Sequence, residues 1–190
     1  MAKAVLNVNT KKDKGLKAVE KVLKQSKKGD IPIIGFNKIS KFDNKTYLYI
    51  SNGHWAIGFE VKEIDNLKEN QINTKSIKFE YPDTIVFEYD DRITPDLDSI
   101  VSTLQNPKHN LKINTAKIKE PTFSKYYSLL IQHLLPKYTL FIKYYELVNN
   151  VFLDNEWHEI LAFVYDKKSP VLFTNCTDSI FAVVMPLEIN

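Results

Sequence analysis

The pattern of apolar and polar residues changes from segment to segment in the first third of the chain. Residues 4–9 place Val and Leu between polar residues, which is typical of a short strand. In residues 14–25 the apolar positions recur three and four residues apart with lysines between them, which predicts an amphipathic helix. Residues 33–62 contain three segments rich in aromatic and β-branched residues with turn residues between them, which predicts a meander of three strands. The predicted order up to this point is β-α-β-β-β.

Two turn signals connect predicted strands. Asn52-Gly53 lies between two segments rich in aromatic and β-branched residues. Both residues tolerate positive φ, as the centre of a type I′ turn requires, so we expect a two-residue hairpin turn there. Pro82-Asp83 separates residues 77–81 from residues 84–89, which predicts a second antiparallel pair.

The second half of the chain repeats the predicted order of the first. A polar stretch, residues 106–121, favours a domain boundary, and we expect domains 1–102 and 103–190. Helical spacing predicts helices over residues 122–135 and from residue 143. Strands are predicted at 138–142, 159–165, 171–175 and 180–187, the last two forming a hairpin with a polar turn at 175–178. The predicted fold class is α+β, with repeated β-α-β-β-β units whose helices lie on antiparallel sheets.

Charge is unevenly distributed along the chain. The net charge is +3, but residues 11–28 carry eight lysines and two acidic residues, a net +6, which leaves −3 for the rest. A row of ammonium groups on one rigid face can neutralise several phosphates of duplex DNA. The candidate DNA-binding residues are Lys11, Lys12, Lys14, Lys17, Lys21 and Lys24. A solvated surface explains the same pattern, and the sequence alone does not choose between the two.

Composition excludes several classes of protein. No apolar run approaches the roughly 20 residues of a membrane helix, so we expect no membrane association. The single cysteine, Cys176, and a first segment unlike a secretory signal favour a cytoplasmic location. The four histidines do not have zinc-ligand spacing, and no glycine-rich phosphate loop occurs. We therefore predict neither a cofactor nor a metal.

One cluster of carboxylates permits a different hypothesis. Acidic residues surround Pro95, as they do in some divalent-metal sites of nucleases. They are Asp90, Asp91, Asp96 and Asp98. Carboxylates around a proline turn are usually solvated, and no histidine or lysine at a catalytic spacing accompanies them. A metal-dependent nuclease is therefore only a distant alternative.

Three segments of this chain resemble the bacterial β sliding clamp, the ring that tethers the replicative polymerase to DNA. KTYLYISNGHWAIGFEV, residues 45–61, resembles a strand and turn of the middle clamp domain. DRITPDLDSIV, residues 91–101, resembles the segment that leads into the last domain. FIKYYELVNNVF and the following hairpins through VVMPL, residues 141–187, resemble the final half of that last domain. The three occur in the family's order, and no counterpart of the first clamp domain is present.

The resemblance implies a binding protein and not an enzyme. In bacterial clamps these three segments line one hydrophobic pocket, which receives a short linear motif from DNA polymerases and other clamp-binding proteins. The corresponding positions here are Ser51, Gly53, His54, Trp55, Pro95, Ile100, Val183, Met185, Pro186 and Leu187. Trp55 stands where the family has Arg, which removes a charge and adds bulk.

The resemblance also implies how the protein would act in DNA replication. A clamp holds double-stranded DNA without reading its sequence and serves as a processivity factor. Because family rings contain six domains, a two-domain subunit would need three copies, a homotrimer, to close one. The alternative is a clamp-derived interaction module or regulator that does not encircle DNA.

Overall fold

A computed structural model describes the parts of the chain from which the fold is built. They are residues 3–7, 33–61, 71–72, 78–80, 84–90, 96–114, 138–139, 159–165, 169–185 and 187–188. No helix within these parts is long and apolar enough to cross a bilayer. The chain divides into two compact units: unit 1 consists of Met1–Gly53 and Gly58–Ser102, and unit 2 of His54–Ile57 and Thr103–Asn190.

Unit 1 is an antiparallel sheet with one short helix among its described residues. Its strands are β1 (Lys3–Asn7), β2 (Ile33–Ile39), β3 (Lys45–Ser51), the second half of β4 (Trp55–Glu60), β5 (Gln71–Ile72), β6 (Lys78–Glu80) and β7 (Thr84–Asp90), and its helix is α1 (Leu97–Ser102). The strand order is β1-β7-β5-β2-β3, and β6 also pairs with β7. The backbone nitrogen of Val61 donates to the carbonyl oxygen of Thr46 at 2.9 Å, which fixes the end of β4 beside β3.

The β2–β3 pair confirms the start of the predicted meander. Its register runs from Ile33 opposite Ser51 to Ile39 opposite Lys45. The connection is a 3₁₀ turn, Ser40–Phe42, followed by Asp43 and Asn44 at φ 53° and 56°. Asn and Asp adopt this left-handed conformation at lower cost than other non-glycine residues, which explains their place in the turn.

Aromatic side chains fill the core of unit 1. Phe36 and Phe87 are almost completely buried, with ring centroids 5.6 Å apart. Phe87 also meets Tyr89 edge to face at 5.4 Å. Strand β3 is buried on both faces from Thr46 onwards, so it cannot show the alternation of a half-exposed strand.

Unit 2 is likewise built from antiparallel strands. Its strands are the first half of β4, β8 (His109–Asn114), β9 (Tyr138–Thr139), β10 (Glu159–Val164), β11 (Val171–Asn175), β12 (Ile180–Val184) and β13 (Leu187–Glu188). The order is β4-β12-β11-β10-β8, while β13 pairs with β9 in a separate two-stranded sheet. All residues of β11 and β12 are buried, which confirms the predicted hairpin with apolar residues on both faces.

Side chains close the turn between β11 and β12. Asn175 is fully buried, and its Oδ1 accepts a hydrogen bond from the Ile180 backbone nitrogen at 3.2 Å. Its Nδ2 donates to Ser179 Oγ at 2.8 Å, and Thr174 Oγ1 donates to Asp178 Oδ1 at 2.7 Å. Cys176 is exposed at the tip of this turn. The polar residues predicted to form a turn therefore do so through their own hydrogen bonds.

Several predictions about local structure were wrong. Only Gly53 of the Asn52-Gly53 pair has positive φ, at 86°, and three residues connect β3 to β4, so the predicted two-residue type I′ turn does not form. The predicted strand over residues 180–187 is interrupted after Val184. Helix α1 and the strands β5 and β8 were not predicted.

Local signals for helix α1 and strand β8 exist in the sequence. Asp96 Oδ1 accepts a hydrogen bond from the Ser99 backbone nitrogen at 2.9 Å, the geometry of an N-cap. Leu111 and Ile113 alternate with polar residues in β8. The predicted helices over 14–25, over 122–135 and from 143 lie outside the described residues.

Candidate functional site

The clearest candidate surface lies in unit 2, where β4 and β12 are neighbours. The backbone nitrogen of Met185 donates a hydrogen bond to the carbonyl oxygen of His54 at 2.8 Å. Both residues are exposed, and Met185 keeps 37% of its surface accessible. They come from two of the three segments named from the sequence, and the fold places them side by side.

Buried apolar residues flank these two positions along the chain. Trp55 follows His54 and is 7% exposed, and Val183 precedes Met185 by two residues and is 4% exposed. Met185 is therefore exposed directly after β12, a strand whose residues are all buried. A flexible, polarisable methionine at such a place can accept apolar side chains of varied shape.

The segment that carries Met185 is held on both sides. Before it, Val184 pairs with Val171 in the β11–β12 ladder. After it, Leu187 pairs with Thr139 in the small β9–β13 sheet. With the bond to His54, three backbone interactions fix the course of the chain around Met185. A backbone held in this way would lower the entropy cost of binding a ligand beside Met185.

Three of the other predicted pocket residues belong to unit 1. Ser51 is buried, and its hydroxyl accepts a hydrogen bond from the Gly53 backbone nitrogen at 3.1 Å. Gly53 is exposed, and its φ of 86° favours glycine. Ile100 projects from α1 and is 39% exposed, whereas Leu97 and Val101 of the same helix are buried. Ile100 and Met185 are the two large apolar side chains that are exposed among the described residues.

Other predicted site residues lie outside the described residues and stay predictions. These are Pro95, Pro186 and the six lysines Lys11, Lys12, Lys14, Lys17, Lys21 and Lys24. For Leu187 only the backbone is described.

The carboxylates of the nuclease hypothesis have structural roles where they are described. Asp96 caps α1, and Asp98 Oδ1 accepts hydrogen bonds from the backbone nitrogen and the hydroxyl of Ser40 at 2.7 and 2.8 Å. Asp90 belongs to β7, and Asp91 is not described. Within the described stretches, no group of three or more His, Cys, Asp or Glu side chains could hold a metal ion. Those residues give the nuclease hypothesis no support.

Three residues with a clear role were missed from the sequence. Asn37 Oδ1 accepts a hydrogen bond from the Leu97 backbone nitrogen at 3.2 Å. The backbone nitrogen of Ser40 donates a hydrogen bond to Asp98 Oδ1. Both contacts hold helix α1. The sequence suggests Asp98 only as a metal ligand and gives no sign of its contact with Ser40. Because these contacts join positions about sixty residues apart, no local sequence pattern predicts them.

Comparison with known proteins identifies the fold. No family model and no curated protein matches the sequence. A protein from Eubacterium rectale described as a DNA polymerase III beta subunit matches with a TM-score of 0.62 and 12% identity, covering 98% of this chain and 65% of that one. The beta subunit of Thermotoga maritima matches with a TM-score of 0.61 and 13% identity, covering 98% and 66%.

A third match is the Helicobacter pylori beta clamp bound to a DNA ligase peptide. Its TM-score is 0.55 at 10% identity, and the match covers 96% of this chain and 65% of the clamp chain. The fold is therefore that of the bacterial sliding clamp, which confirms the resemblance drawn from the three segments. The chain spans about 65% of the length of the clamp subunits that it matches.

Proposed function

We propose that this protein is a sliding-clamp-like DNA replication factor that recruits partner proteins through a short linear peptide. The observation that carries the proposal is the placement of His54 beside Met185 on a surface of the clamp fold. The site contains an exposed apolar side chain on a backbone held at both ends, and its described residues offer no nucleophile paired with a base. Such a surface supports binding and not catalysis.

One matched clamp supports the proposal of a peptide partner. The H. pylori clamp was solved with a peptide of DNA ligase, so a clamp of this fold accepts a short segment of a DNA enzyme. The proposed occupant here is a peptide with a Gln followed by spaced Leu and Phe, the pattern that the clamp resemblance implies. Ser51, Gly53, Trp55, Pro95, Ile100, Val183, Pro186 and Leu187 remain predicted members of the site.

The proposed DNA contact rests on charge. The net +6 of residues 11–28 lies on and beside the helix predicted over residues 14–25, in a chain that is otherwise net negative. Contacts between lysines and phosphates bind duplex DNA without reading its sequence. DNA binding therefore complements the peptide surface, which would deliver an enzyme to the duplex.

Titration with a labelled peptide tests the proposal. A fluorescein-labelled peptide with the Gln, Leu and Phe pattern should bind the full chain with a Kd near the micromolar level, about −8 kcal/mol. A peptide of the same composition in scrambled order is the control. Equal anisotropy changes with the two peptides, or no change with either, would refute peptide recognition.

A clamp-derived regulator that does not encircle DNA is the second candidate function. The length of the chain is the observation that supports it. A chain that spans about 65% of a clamp subunit needs more copies to close a ring than a full-length subunit does. A solution mass three times the 22.1 kDa of the chain would support a trimeric ring, whereas a monomer that binds the peptide would support the regulator.

A further inference from the structure

Helix α1 is attached to unit 1 by polar side chains at its first turn. Asp98 Oδ1 accepts two hydrogen bonds from Ser40, one from the backbone nitrogen at 2.7 Å and one from the hydroxyl at 2.8 Å. Asn37 Oδ1 accepts one from the Leu97 backbone nitrogen at 3.2 Å. These bonds join α1 to β2 and to the 3₁₀ turn that follows it.

The helix needs such attachments because it is short. Six residues are far fewer than the 12–15 that an isolated helix needs in water, so α1 depends on its contacts with the sheet. Leu97 and Val101 supply the buried side of these contacts. Ile100 lies in the same helix, its backbone nitrogen 3.3 Å from the Asp96 carbonyl oxygen, and it is 39% exposed. The position of Ile100 is therefore set by the bonds that hold the helix.

We propose that Ser40 and Asp98 are positioning residues for peptide binding, which they support by fixing Ile100 without touching the peptide. This inference rests on the proposed function, because it takes Ile100 as one of the side chains that meet the partner. A loosened α1 would leave Ile100 in several orientations. Binding would then have to order it, and affinity would fall.

Four variants of the full chain separate positioning from other effects. Asp98→Ala removes both hydrogen bonds, and Ser40→Ala removes the one from the hydroxyl. Asp98→Asn keeps an oxygen acceptor at the same place and should restore binding. Ser99→Ala is the matched control, because Ser99 is exposed on the same helix and its backbone nitrogen keeps the bond to Asp96.

We expect Asp98→Ala to weaken binding of the labelled Gln, Leu and Phe peptide about fivefold, equivalent to about 1 kcal/mol, as loss of hydrogen bonds to a charged group would. Ser40→Ala should weaken it about twofold to threefold. Asp98→Asn and Ser99→Ala should stay within about twofold of the wild type.

A double-mutant cycle with Ile100 decides whether the effect passes through that side chain. On an Ile100→Ala background, Asp98→Ala should cause no further loss of affinity, since residues that act together are not additive. Additive losses, or an Asp98→Ala variant that binds like the wild type, would overturn the inference while peptide binding itself stands. Failure of the wild type to bind the peptide would overturn both.

Discussion

Gly35 lies directly opposite Tyr49 in the register of β2 and β3. The tyrosine is fully buried, and its hydroxyl has no hydrogen-bond partner within the described part of the chain. A buried hydroxyl without a partner loses its bonds to water and gains none in return. Tyr49 thus fills volume in unit 1 at an energetic cost that phenylalanine would not have.

Replacing Tyr49 with Phe should raise stability. The ring volume is kept and the unpaired hydroxyl is removed, so we expect the free energy of unfolding to rise by about 1 kcal/mol. Urea unfolding, monitored by circular dichroism, measures this free energy in the wild type and the variant. A loss of similar size would show that the hydroxyl has a partner after all.

High pH should destabilise the protein through two buried tyrosines. Burial raises the pKa of Tyr49 well above its ordinary value of 10.0, and burial raises the pKa of Tyr165 to about 12. The unfolded chain therefore loses protons near pH 10 that the folded chain still holds, so stability falls as the pH rises from about 10 to 12. Melting temperatures across this range should decline, and Tyr49→Phe should decline less steeply than the wild type.

Met185→Asp should abolish binding of the peptide. It would place an unpaired charge against an apolar ligand, whereas Met185→Leu keeps an apolar side chain of similar volume and should retain most of the affinity. Because Met185 is 37% exposed, neither change should shift the melting temperature much. Undiminished binding by the aspartate variant would remove Met185 from the site.

Trp55→Ala should cost about 3–5 kcal/mol of stability, because the side chain is only 7% exposed. Trp55→Phe should cost less. The resemblance instead implies that Trp55 forms part of the pocket wall. A change in peptide affinity with little loss of melting temperature would support that implication and contradict the prediction from burial.

Reversing the charge of the basic segment should abolish duplex binding. We expect this for Lys14, Lys17, Lys21 and Lys24 all changed to Glu, with the fold retained. Wild-type binding should fall steeply with salt and ignore sequence, as lysine–phosphate contacts predict. The control changes four exposed lysines of the described residues, Lys38, Lys41, Lys108 and Lys112. An equal loss in that control would mean that overall charge, and not this helix, holds the DNA.

The main strands were easier to predict from the sequence than the short helix α1. Short segments rich in aromatic and β-branched residues, bounded by turn residues, predicted β2, β3 and the β11–β12 hairpin, because strand composition and turn chemistry are local properties. Helix α1 has six residues, less than two turns, so its apolar spacing does not repeat often enough to be recognised. It forms where hydrogen bonds through Asn37 and Asp98 hold it.

The site shows the same division between local and long-range information. The exposure of Met185 has a local signal in the Pro186 that follows it. Its contact with His54 joins distant parts of the chain, so composition and periodicity could not reveal it, and only the likeness to a known family placed the two together.

The exposed thiol at the tip of the β11–β12 turn makes the molecule convenient to observe. Cys176 is the only cysteine of the 190 residues, so a maleimide dye attaches at one site without any substitution. The dye would sit on a turn fixed by the buried Asn175, in the hairpin whose second strand leads to Met185. Peptide arrival, and transfer of energy between labelled copies, could then be followed by fluorescence on the natural sequence.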